Sequence, residues 1–177
     1  MKKTLGTTLA IMVVAIFIGT FITAKYVTAG EIGRDGRFIA YDNDTVLDTK
    51  TELMWAAKDN GSDINWPDAK SYCENYRGGG YTDWRMPTQD ELAGLYDAAK
   101  TYKSDCGYDV HLTELIRLTC GATWASETRG SDATYFYFSS GVRALYYQSY
   151  SFGYRALPVR SGKNENFQGM DTDKIRQ

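Results

Sequence analysis

The chain has 177 residues, 43% hydrophobic and 24% charged, which gives room for one domain with a packed core and little more. Twenty basic against 22 acidic side chains leave a formal net charge of −2, which argues against the broad basic face of a nucleic-acid binder. Fourteen Tyr, four Trp and 17 Gly against three Pro favour short strands and loops over a helix bundle.

Lys2 and Lys3 precede an uncharged, mostly apolar run of 21 residues, 4–24. Val27, Thr28 and Ala29 then offer small residues where a signal peptidase reads. The pattern predicts export. Residues 1–29 act either as a cleaved signal peptide or as an uncleaved anchor, since the run is long enough to span a bilayer. The lysines would stay on the cytoplasmic side. No Cys follows the run, so no lipoprotein acylation site is expected there. Removing 1–29 takes away Lys2, Lys3 and Lys25 and no acid, leaving 17 basic against 22 acidic groups, net −5 with His111 neutral. The predicted domain is 30–162, with 163–177 a disordered polar tail.

Within the domain, 36–56 reads as a hairpin: a strand at 37–41, turn chemistry at Asp42, Asn43 and Asp44, then strands at 45–48 and 51–55. Asp42, Asn43, Asp44 and Asp48 lack the Gly and distal Glu of an EF-hand loop, so no metal is assigned to them. Asn65 or Asp63 caps a helix with Pro67 in its first turn, running to about Tyr76. Ala69, Tyr72, Cys73 and Tyr76 form its buried face. Arg77 and three glycines end it. Thr88 and Glu91 form a capping box for a second helix, from Gln89 to Ala99 or Tyr102. A short helical piece is expected at 112–117, and strands at 123–126, 133–138, 142–147 and 154–160. Pro158 requires an edge, a bulge or an N–H position outside the ladder. The fold class is α+β, with two helices packed on one side of a mostly antiparallel, partly irregular sheet.

Three cysteines in an exported chain allow one internal disulfide. Cys106 and Cys120 are the favoured pair, because closing a loop of about 15 residues stabilises by roughly 3 kcal/mol in the chain-entropy model. Cys73 is left as a buried small hydrophobe or as a reactive or intermolecular thiol.

Several segments in a fixed order carry a family resemblance. They are Asp42 to Asp48, Glu52 to Trp55, Trp66 to Cys73, Gly80 to Thr88, Glu91-Leu92, Trp124 to Glu127 and Arg155 to Gly162. Together they resemble the DUF1566 family, also called the Lcl C-terminal domain, over residues 36–162. The resemblance implies a C-type-lectin-like fold, related in style to that of formylglycine-generating enzymes. It implies bacterial envelope or secreted proteins, and adhesion to glycans such as glycosaminoglycans. Many relatives carry a Cys in the last segment as a partner for the helix Cys. Here Ala156, Leu157 and Pro158 stand there, so Cys73 lacks that partner. The Glu-Pro-Asn and Gln-Pro-Asp triplets of calcium-dependent lectins are absent, so a calcium-bridged sugar site is not expected.

No catalytic residues and no cofactor are assigned. His111 is the single His and has no nucleophile–base set around it. Zinc would be short of ligands. Cys106 and Cys120 as the reactive pair of a formylglycine-generating-like oxidoreductase is the least favoured reading. Asp83, Trp84, Arg85, Thr88 and Glu91 are read as structural: Trp84 anchors the loop, and Arg85 meets a carboxylate or a helix end. The binding reading rests on Tyr147, Tyr150, Arg143 and Arg155 as a ligand surface among alternating aromatics, some of which must face outward. Ordinary sheet packing competes with it. The expected partner is an extracellular glycan or an envelope protein, with membrane contact only through 4–24. A membrane-anchored structural partner of an envelope or filament complex is the alternative.

Overall fold

A computed structural model describes residues 29–163; the predicted signal or anchor segment and the tail beyond Lys163 lie outside the described residues. The first half of the domain is built from alternating apolar segments separated by turn residues. β1 (Glu31–Asp35), β2 (Phe38–Tyr41), β3 (Thr45–Asp48) and β4 (Leu53–Ala56) form an antiparallel meander. Asp44 and Glu52 take φ of 61° and 56° to close its turns, a region where Asp is tolerated better than Glu. β1 is a strand that the sequence reading did not predict.

α1 (Trp66–Asn75) starts as expected, with Asn65 accepting from the Asp68 amide and Pro67 in the first turn. Ala69 and Cys73 are its fully buried residues, and Tyr72 and Tyr76 lie at the margin. α2 (Gln89–Leu95) begins at the Thr88–Glu91 capping box, both halves of which are formed. It ends well before Ala99. Tyr96 turns out of the helix to pack edge-on against Phe136 at 5.9 Å and His111 at 5.7 Å, and the Asp97 amide donates to the His111 carbonyl. Tertiary contact here overrides a sequence that could have continued as helix.

β5 (Tyr102–Lys103) and β6 (Asp109–Val110) make a small ribbon. The helical piece expected at 112–117 is instead an irregular crossing, in which Leu112, Ile116 and Leu118 are fully buried. Backbone bonds from Arg117 to Ala57, and from Asp59 to Arg117, replace helical ones.

The second sheet runs in the order β10-β7-β8-β9, from β7 (Ala122–Arg129), β8 (Asp132–Tyr137), β9 (Val142–Tyr147) and β10 (Tyr154–Arg155). β10 is parallel to β7, and the other pairs are antiparallel. The strand expected at 154–160 is two pieces. After β10 the chain leaves this sheet, and β11 (Val159–Ser161) joins β4 in the other one. Pro158 sits at the changeover, where it has no N–H to place and its carbonyl accepts from the Ala56 amide.

The helices lie on opposite faces of the second sheet, not on one side. Leu92 and Leu95 of α2 pack with Phe136, Phe138, Trp55 and Leu157. Ala69 and Cys73 of α1 pack with Ala122, Trp124, Ala133 and Tyr154. Successive strand residues point to opposite faces, and both faces carry large apolar groups, so each needs its own cover. The result is α+β with two cores sharing one sheet.

Candidate functional site

Alternation along β8 and β9 decides which aromatics are spent on packing. Register pairs Tyr135 with Ala144, Tyr137 with Val142 and Ala133 with Tyr146, and places Trp124 opposite Tyr135. These residues share the α1 face of the sheet. α1 covers only the part of that face around Trp124. Beyond it, the β9 end and the following turn leave an aromatic surface open.

That surface is tiered. Trp124 is fully buried and stacks on Tyr154, with centroids 4.2 Å apart and planes 19° apart. Tyr154 lies at 20° to Tyr146 at 6.1 Å. Tyr150 stands nearly perpendicular, at 4.8 Å and 73° to Tyr146 and at 5.7 Å and 88° to Tyr154. Tyr108, from the β5–β6 turn, meets Tyr137 edge-on at 6.1 Å. The rings enclose a hollow of about 270 Å³, whose remaining walls include Phe152 and Cys120. Tyr150 is 40% exposed and Phe152 74%. Burial raises the Tyr154 hydroxyl far above the usual tyrosine range, so the floor is neutral at any physiological pH. A larger depression of about 410 Å³ lies beside Leu112, Glu114 and Leu115. Two of its three charged residues are engaged with each other: Lys100 pairs with Asp35, whose carboxyl is held below its ordinary value by the Lys100 and Thr113 side chains. The aromatic hollow instead is lined by no charged residue.

The four residues proposed from sequence as a ligand surface do not come together. Tyr150 is in the hollow. Tyr147, 60% exposed, is assigned by alternation to the opposite face, though its ring reaches Tyr146 at 5.5 Å from the strand end. Arg143 shares that opposite face and pairs with Asp90 at the start of α2. Arg155 is buried. Its Nε donates to Thr119 Oγ1 at 2.7 Å, its Nη1 to Asp63 at 2.6 Å, and its Nη2 to Cys106 Sγ at 3.4 Å. Tyr146, Tyr108, Tyr154 and Phe152 take the places those arginines were expected to hold. Tyr146, Phe152 and Tyr154 belong to the same aromatic-rich segment of the sequence; strand parity separates Tyr146 from Tyr147, while Phe152 and Tyr154 come from the turn after β9 and from β10.

The buried polar network under β10 was not foreseen. Asp59 is 4% exposed and accepts from the Thr119 amide at 2.7 Å, the Thr119 hydroxyl and the Gly61 amide. Burial raises its pKa despite these bonds and the nearby Arg155. In sequence, Asp59-Asn60-Gly61 reads as an exposed turn, and nothing local signals its burial. Cys106 and Cys120 are disulfide-bonded, Cα–Cα 5.1 Å. Cys73 is free and buried, and burial pushes its thiol up to about 12, which makes it inert as a nucleophile.

The residues read as structural sit in a brace. Trp84 is buried, donates Nε1–H to the Gly78 carbonyl at 3.1 Å and meets Tyr76 edge-on at 5.1 Å. Arg85 and Asp83 do not pair with each other. Arg85 holds Glu91 through two bonds of 2.8 and 2.6 Å, while its backbone pairs with Val159 of β11. Asp83 holds Arg160 through bonds of 2.6 and 3.0 Å, with that guanidinium 3.9 Å over the Tyr81 ring. The His111 ring is held by the Lys100 carbonyl at 2.9 Å. Among the described residues no group of three or more His, Cys, Asp or Glu is arranged to hold a metal, and no helix is long and apolar enough to cross a membrane.

A family model described as the Lcl C-terminal domain matches residues 44–160. No curated protein matches the chain.

Proposed function

Because the chain belongs to the Lcl C-terminal domain family, we propose that it is a non-catalytic, exported binding module of C-type-lectin-like design. Its working surface is the tiered aromatic hollow, where Tyr146, Tyr150, Phe152 and Tyr108 hold an extracellular glycan or an envelope protein. The observation that carries this reading is that large exposed rings, Tyr108, Tyr146, Tyr150 and Phe152, gather around one concavity with no charged residue in its lining. Tyr supplies rigid amphipathic contact area at low entropic cost, which is why such surfaces recur at binding sites. Export is supported by the charge and hydropathy pattern of residues 1–29 and by the disulfide. A non-catalytic role is supported by the engagement of Asp83, Arg85 and His111 in pairs and bonds that position backbone.

The test is capture of the full chain on immobilised glycans and on envelope extract. Wild type should be retained, and the double variant Tyr146→Ala, Tyr150→Ala should lose about tenfold in affinity at an unchanged melting temperature. Equal capture of the two proteins would sink the assignment to this face. Mass spectrometry of the N-terminus separates a free secreted module from an anchored one.

A further inference from the structure

The charge around the aromatic hollow narrows what can occupy it. No lining residue is charged. Of the two arginines nearest in sequence, Arg143 is on the opposite face and tied to Asp90, and Arg155 is buried and bonded to Thr119, Asp63 and Cys106. The nearest acid is engaged as well: Asp63 accepts from the Gly153 amide at 3.0 Å beside the hollow and pairs with Arg155, so the rim offers no free cation. A sulfated or otherwise polyanionic chain needs free Arg or Lys here to offset its desolvation, and finds none.

We infer that the hollow takes an uncharged saccharide, one ring stacked by its C–H face on the tyrosines. This rests on the functional reading above and goes on to name the ligand class. Three features favour a sugar ring over an extended peptide. The hollow, of about 270 Å³, is walled on several sides by tyrosine rings, a shape that seats a ring-sized group. Tyr150 stands at 73° to Tyr146, so a puckered ring set in that corner meets one ring by its face and the other by its edge. Each exposed Tyr carries a hydroxyl that can donate to or accept from ring hydroxyls set around that apolar face.

The experiment is affinity electrophoresis of the full chain through gels containing neutral polysaccharides (β-glucan, galactan, mannan) or soluble chitin oligomers as competitor. Parallel gels carry heparin or a polyproline peptide, at about 50 and 500 mM salt. Retardation by at least one neutral sugar is expected, changing less than about twofold with salt, since no counterions are released. It should fall about tenfold in Tyr146→Ala and in Tyr150→Ala and persist in Arg143→Ala. Retardation by heparin alone, steep in salt and lost in Arg143→Ala, would overturn both the ligand class and the aromatic face. Retardation by polyproline alone, lost in Tyr150→Ala, would overturn the saccharide and leave the face standing. No retardation by any neutral sugar, with envelope extract still captured through Tyr146 and Tyr150, would overturn the saccharide alone.

Discussion

Arg155 and Arg160 stand five residues apart on consecutive short strands, and both are buried with a half-exposed carboxylate as partner, Asp63 and Asp83. A buried guanidinium is tolerable only if its donors are matched, and each Arg here is held by at least two oxygens or an aromatic face. These pairs set the acid behaviour. The guanidinium of Arg160 lowers the Asp83 pKa and that of Arg155 lowers the Asp63 pKa. The stability they contribute is therefore complete above the unfolded carboxylate value, about 3.9, and is lost as pH falls through their lower folded values. Asp59 runs the other way: burial raises its pKa, so its ionisation opposes folding and this penalty is relieved as pH falls through that raised value. Wild type should thus lose melting temperature chiefly below about pH 4. Asp83→Asn should melt lower at pH 7 and converge with wild type near pH 2. Curves that stay parallel down to pH 2 would mean the Asp83 pair contributes nothing through its charge.

At the scale of elements, residues 78–92 act as a strap. The Arg85 backbone pairs with β11 on the side away from β4, the Arg85 side chain fixes the first turn of α2, and Trp84 ties the strap back to Gly78. Two of the three glycines at its start have positive φ for different degrees of need. A Cβ at Gly79 would lie 2.7 Å from Thr45 Cγ2 and 2.9 Å from the Tyr81 ring, at φ +66°, whereas one at Gly80, φ +79°, would meet nothing within 4 Å. Gly80→Ala should cost only backbone strain, about 1 kcal/mol, and Gly79→Ala that strain plus a clash, up to about 3 kcal/mol. Urea unfolding of both variants measures it; equal losses would mean that Thr45 and Tyr81 move aside freely. Much of this strap was legible in sequence, because a capping box, a Pro before it and a glycine run are local signals. The length of α2 was not, because Tyr96 leaves the helix for partners 15 and 40 residues away in the chain, His111 and Phe136.

Over the whole molecule, what the sequence concealed is sorting in space. An aromatic-rich segment at 135–154 is visible at a glance, but whether Tyr146 or Tyr147 lines a surface depends on which face α1 leaves uncovered. Likewise Arg155 reads as a surface cation until β10 is placed parallel to β7, over Asp63 and Thr119. Pro158 signalled a break in the last strand without signalling that the chain changes sheets there. That changeover makes the two sheets depend on one segment, and the Cys106–Cys120 disulfide fastens the region beside it, with Arg155 Nη2 reaching Cys106 Sγ. The cysteines are 14 residues apart, and the loop between them contains β6, Tyr108 and the buried crossing of Leu112, Ile116 and Leu118. In the chain-entropy model, closing such a loop is worth about 3 kcal/mol. The folded loop has other fastenings: Tyr102 accepts the Leu118 amide at 2.7 Å and donates to the Ile116 carbonyl at 2.7 Å, and Arg117 bridges to Ala57. These bonds hold the native loop but leave the unfolded chain unrestricted, so they do not substitute for the crosslink. The double variant Cys106→Ser, Cys120→Ser should therefore fold and show its loss in the denaturant midpoint, about 3 kcal/mol, with a steeper denaturant dependence because its unfolded chain exposes more surface. A loss below about 1 kcal/mol at an unchanged slope would mean that the loop stays ordered in the denatured state without the disulfide.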